Sequence, residues 1–193
     1  QDFMDCFSVT FNNEWARTRA TMPEIAALAT TIEVPGAQSL MQLRDLIVKP
    51  MGLKTADNFD DGADVIPEPK PQVGDRIGFF KIYSIGENEI ILGEDDTHQD
   101  FRVSIFRATE VPSRLYLATC CQRHNVFGYL YLAAILPFHK MIVKRMLDGV
   151  ARKLSAAGDD PLAGGRIGTR VREIQSGTGE LAAAHLDGAL LEV

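Results

Sequence analysis

The chain has 193 residues, 46% of them hydrophobic and 24% charged, with a net charge of -6. A chain of that size can bury about 70% of its unfolded surface, so one domain with a true core is expected. The acidic balance argues against a general binder of nucleic acid or anionic membrane, since those polyanions need clustered Lys and Arg.

The N-terminal stretch QDFMDCFSVTF has no basic region followed by an apolar run, so no signal peptide is expected. Within it Phe3, Phe7, Val9 and Phe11 recur at odd positions, a period of two that predicts a strand over 3–11. Asn13 is placed to cap a short helix carrying Glu14, Trp15 and Arg17, and Pro23 suits the first turn of a second helix reaching about Ala29. Leu40, Leu43 and Ile47 share one face of a third helix, capped by Ser39 and stopped by Pro50 and Gly52. Residues 54–75 hold six acids, two lysines and three prolines, and read as a solvated surface loop or a lid over a pocket.

Four β segments follow, over 76–85, 89–93, 99–107 and 114–123. The connections between them are too short for parallel crossovers, so an antiparallel meander is expected.

The longest apolar run, Val126 to Phe138, has 13 residues, against about 20 needed to span hydrocarbon. It is expected to form the first half of one helix from Asn125, as N-cap, to Leu154. That half is apolar on nearly every side and should be enclosed by protein; the second half should bury Ile142, Met146, Val150 and Leu154 and expose Lys140, Lys144, Arg145 and Lys153. Pro137 should bend this helix rather than divide it. The glycine-rich remainder, 155–193, reads as a separate tail, either disordered or with RIGTRVREI as an edge strand and GELAAAHL as a short helix.

The stretches LGEDDTHQDFRVSI, RHNVFGYLY and LPFHKMIVKRML, preceded by LRDLIVKPMGL, closely resemble domain of unknown function 2867, over about residues 2–154. The resemblance implies membership of the START-like, Bet v 1-like superfamily, which includes polyketide cyclases and is also termed SRPBCC. It implies an α+β helix-grip fold: a curved antiparallel sheet wrapped around a long C-terminal helix, with an apolar cavity between them. Some members follow a short-chain-dehydrogenase-like domain, but no G-x-G-x-x-G follows a strand here, so any nicotinamide chemistry would need another chain. The resemblance brings no agreed catalytic residues.

Five residues are ligand-binding candidates. His124 stands beside Asn125 where the last strand turns into the helix, and is either part of a cap or a polar group at the cavity mouth. His139, two residues past Pro137, faces either a freed backbone carbonyl or a ligand. Asp100 and Arg102 alternate with Phe101, Val103 and Ile105; Arg102 is a solvated sheet residue, or, if both faces are covered, a buried cation paired with a carboxylate. Tyr129 belongs to an aromatic set with Tyr116 and Tyr131 that serves as core or as cavity wall. His98 with Asp95 and Asp96 sits in a tight turn, so no metal and no cofactor are expected.

Cys6, Cys120 and Cys121 form an odd set without ligand spacing and read as reduced core thiols of a cytoplasmic protein. The leading expectation is a module that binds a small hydrophobic or aromatic ligand, with catalysis and self-association to a homodimer left open. The alternatives are a cyclase, isomerase or hydrolase using His124, Arg102 or Asp100 as acid or base, and an interaction module for an oxidoreductase.

Overall fold

The structure is a computed structural model that describes residues 3–34, 71–78, 80–95, 99–110, 112–156 and 171–173. The expected helix at 39–51, most of the acidic loop, His98 and the expected tail helix lie outside them.

Strand β1, Phe3–Phe11, runs directly into two short helices, α1 over Glu14–Thr18 and α2 over Met22–Thr30. Asn13 Oδ1 accepts the Ala16 amide at 2.8 Å and so caps α1. A capping box opens α2: the Thr21 side chain accepts from the Glu24 amide, while the Glu24 carboxylate accepts from the Thr21 amide at 2.7 Å. These reciprocal bonds satisfy amides that a helix start leaves without partners.

The β segment expected over 76–85 is two strands, β2 at Arg76–Ile77 and β3 at Phe80–Ile85. Gly78 is the cause, since its φ of 59° is a left-handed conformation that a side chain disfavours and a tight hairpin uses. The meander continues through β4, Glu89–Asp95, β5, Gln99–Ala108, and β6, Ser113–Arg123. Helix α3 then runs unbroken from Val126 to Ala156 with Pro137 inside it, about 46 Å at 1.5 Å per residue. Strand β7, Arg172–Glu173, falls within the expected tail strand.

The fold is α+β: seven strands form one sheet in the order β2-β3-β4-β5-β6-β1-β7, antiparallel at every pairing, with α3 packed on one face against β1 and β6. Register fixes the two faces, because directly opposed residues share a face. Phe7 pairs with Leu117 and Leu117 with Ile105, placing all three under α2 and α3 with Val9, Phe11, Ile82, Ile90 and Leu92. This layer is the main core.

The other face is also well buried. Cys6, Ala118 and Cys120 form a second apolar cluster with Tyr116 against it. Cys120 and Cys121 therefore point to opposite sides, as strand alternation requires, and all three cysteines are buried thiols outside any disulfide.

Two expectations about α3 need correction. Its C-terminal half buries Val143, Leu147, Val150, Ala151 and Leu154, whereas Ile142 and Met146 are only partly covered. Its N-terminal half is not enclosed: Val126 is 73% exposed, Tyr129 49% and Phe138 37%, while Leu132 is buried. No helix among the described residues is long and apolar enough to cross a membrane.

Candidate functional site

The five candidates do not converge. Arg102 and His139 lie on opposite faces of the sheet, because Arg102 opposes Cys120 on the outer side while α3 carries His139 over the inner side. One small ligand cannot touch both.

On the outer face Arg102 is nearly buried and fully engaged. Its guanidinium meets Asp95 Oδ1 at 2.7 Å, donates to the Phe101 carbonyl at 3.0 Å and stacks over the Tyr83 ring at 3.7 Å. Tyr83 donates its hydroxyl to the other Asp95 oxygen at 2.7 Å. The register between β3 and β4 slips between Ile82 and Ser84, and such a bulge re-aims the intervening Tyr83. Gly93 opposes Arg102 and leaves space that a side chain would take, since a Cβ there would lie 3.0 Å from Arg102 Cδ. Burial raises the Tyr83 hydroxyl to about 12, with the bond to Asp95 adding. Burial pulls the Asp95 carboxyl upward, but Tyr83 and Arg102 outweigh it and hold the group below its ordinary range. Every strong group in this cluster already answers another, which is the arrangement of a brace.

At the end of β6, His124 Nε2 stands 3.0 Å from Asp100 Oδ2, with both side chains about one-third exposed. Asn125 Oδ1 accepts the Gly128 amide at 3.0 Å and caps α3. Arg123 stacks over the Tyr129 ring at 3.7 Å. His124 and Tyr129 thus flank the strand-to-helix turn, both reachable by solvent.

The third cluster lies between the sheet and α3. His139 does not turn to a carbonyl freed by Pro137; its Nε2 is 3.3 Å from each oxygen of Asp5, and Phe3 meets the imidazole edge-on at a centroid distance of 6.5 Å. Asp5 is 8% exposed and directly opposes Thr119, which is 4% exposed. Neither Asp5 Oδ2 nor Thr119 Oγ1 has a hydrogen-bond partner among the described residues. Cys121 is next on the same face, its thiol pushed up to about 12 chiefly by burial, with Cys120 and then Asp5 adding. A thiol held neutral to that degree is no nucleophile.

Asp5 and Thr119 escaped the sequence reading, although Asp5 carries a signal: it is the one polar residue in the odd-numbered series Phe3, Phe7, Val9, Phe11. A carboxylate on the core side of a strand must answer something. Thr119 gives no comparable sign, being unremarkable in a strand.

The family described as "Protein of unknown function (DUF2867)" matches residues 1–146. The chain belongs to the DUF2867 family. The match includes the whole sheet except β7, together with α1, α2 and α3 as far as Met146. No curated protein and no solved structure shows a significant match.

Proposed function

We propose that this DUF2867 chain is a START-like module of helix-grip type, which holds a small, mainly apolar molecule between the sheet and the N-terminal half of α3. The observation that carries this reading is the placement of Asp5 and Thr119, buried polar groups with unmet hydrogen-bonding capacity, on the inner face of the sheet beneath α3. Ligand sites are mostly apolar with a few convergent polar groups, and buried polar atoms otherwise find partners. Phe3 on the sheet and the half-exposed Tyr129 and Phe138 on the helix add aromatic surface for such a molecule.

Saturable binding of the neutral fluorescent probe N-phenyl-1-naphthylamine, with an adduct retained in native mass spectrometry after detergent-free purification, is the expected result. A probe signal that rises linearly without saturation, with only bare chain in the spectrum, would remove the reading. Three buried thiols outside any disulfide support a reducing, cytoplasmic setting for the module.

A further inference from the structure

Resting on that reading, we infer that the polar head of the bound molecule is a hydrogen-bond donor, neutral or cationic and not anionic, and that it sits on Asp5 and Thr119. The argument is an inventory of donors and acceptors. A carboxylate only accepts, so the His139 Nε2 beside Asp5 must be the donor of that contact, and one N–H shared between two oxygens that are each 3.3 Å away gives neither a full hydrogen bond. The second oxygen, Oδ2, is left needing a donor in a buried position.

Across the strand pair, Thr119 Oγ1 lies on the same face within the reach of directly opposed side chains. A hydroxyl or ammonium head placed between them donates to Asp5 Oδ2, while the Thr119 hydroxyl supplies a further hydrogen bond. The adjacent cation does not take this role: Lys140 is bound to Glu173 at 2.6 Å and donates no hydrogen bond to Asp5 Oδ2. Cys121 offers no competing charge, its thiol staying neutral. A carboxylate head at the same position would meet the like charge of Asp5 in a site of low dielectric.

Three single-chain competitors of equal length separate this claim from its parent: n-decanol, n-decylamine and n-decanoate, each displacing N-phenyl-1-naphthylamine from the full chain. The expected order has decanol and decylamine at least about ten-fold tighter than decanoate, a charge-sensitive discrimination of ordinary size. Asp5→Asn should bring decanoate to within about three-fold of decanol, and Thr119→Val, which keeps shape and loses the hydroxyl, should weaken decanol by about five- to ten-fold. Equal competition by all three, a preference for decanoate, or an order unchanged in both variants would overturn the head assignment and leave the module intact. A chain that never binds the probe overturns both. Circular dichroism confirms that each variant is folded, and if Asp5→Asn is not, the wild-type order together with Thr119→Val still decides the matter.

Discussion

The guanidinium of Arg107 on β5 donates a 3.0 Å hydrogen bond to the carbonyl of Ala16 on α1, across 91 residues of sequence. The same Nη1 donates to Ala20, and Nη2 reaches the Glu87 carbonyl at 3.0 Å and Asn88 Oδ1 at 3.1 Å. Arg107 thus ties the helical link after β1 to the turn between β3 and β4, from a position only 5% exposed. Burial lowers its pKa from the ordinary value, with Glu87 opposing, but an arginine stays charged throughout. Arg107→Met should lower unfolding stability by about 3–5 kcal/mol in urea titration, because carbonyls at both ends lose their donor while buried. Arg107→Lys should recover less than half of that, since one ammonium cannot reproduce the fork. A Met variant within about 1 kcal/mol of wild type would show that these contacts contribute little.

Asn13 holds the far end of the long helix. Its Oδ1 caps α1, and its Nδ2 donates to the Leu154 carbonyl at 2.6 Å, answering one of the carbonyls a helix end leaves without an intrahelical partner. Asn13→Asp keeps the cap and turns the donor into an acceptor facing the Leu154 carbonyl, whereas Asn13→Ala removes both groups. The Asp variant should cost about 1–2 kcal/mol and the Ala variant about 1 kcal/mol more in the same titration. An Asp variant as stable as wild type would mean that the link to Leu154 contributes nothing.

These two polar ties explain how far the sequence could be read. Elements with local causes were legible: β1 from its alternation, α1 and α2 from Asn13 and Pro23, and α3 from the Asn125 cap. The meander was legible from its short connections. What failed depended on contacts distant in the chain. Ile142, Val143, Met146 and Leu147 lie on two adjoining helical stripes, and only packing against β1 and β6 selects Val143 and Leu147. The exposed start of α3 shows why apolar composition alone does not establish burial. At Arg102 the apolar neighbours face the core, yet the residue is buried as well, because Tyr83 and Asp95 arrive from other strands. The inner cluster depends on one unforced pairing, Asp5 opposite Thr119, that only register reveals.

Gly93 is where register and steric room coincide. A Cβ there would stand 2.2 Å from the Phe101 carbonyl oxygen and 3.3 Å from Arg102 Cα, which are backbone atoms that cannot step aside. Gly93→Ala must therefore push β4 from β5 and disturb the Arg102–Asp95 contact. We expect a loss of about 2–4 kcal/mol and a visible change in the near-ultraviolet signal of Tyr83. Ala at Gly149 would instead meet Ile32 Cγ2 at 2.7 Å, a side-chain methyl that can rotate, so a smaller loss is expected. Similar losses at the two positions would refute the distinction between backbone and side-chain obstruction.

The short strand β7 is fastened to α3 by charge. Glu173 accepts from Lys140 at 2.6 Å and from Lys144 at 3.0 Å, and it pairs in register with Phe7 of β1. The bond from Lys140 first, then that from Lys144, holds the carboxyl below its ordinary 4.5. A depressed carboxyl contributes stability that is complete above the unfolded value and is lost as pH falls through the lower folded one. Lys140 is shifted the opposite way, raised above 10.5 first by its bond to Glu173, so its share is complete below 10.5 and is lost as pH rises through the higher folded value. Limited proteolysis at β7 should therefore be slow near neutrality and faster when pH drops well below 4.5, with Glu173→Gln cut quickly at both. Because these side chains are about one-third exposed, added salt should reproduce part of the effect at neutral pH. Identical cutting rates for wild type and Glu173→Gln at neutral pH would show that β1 pairing alone holds β7 in place.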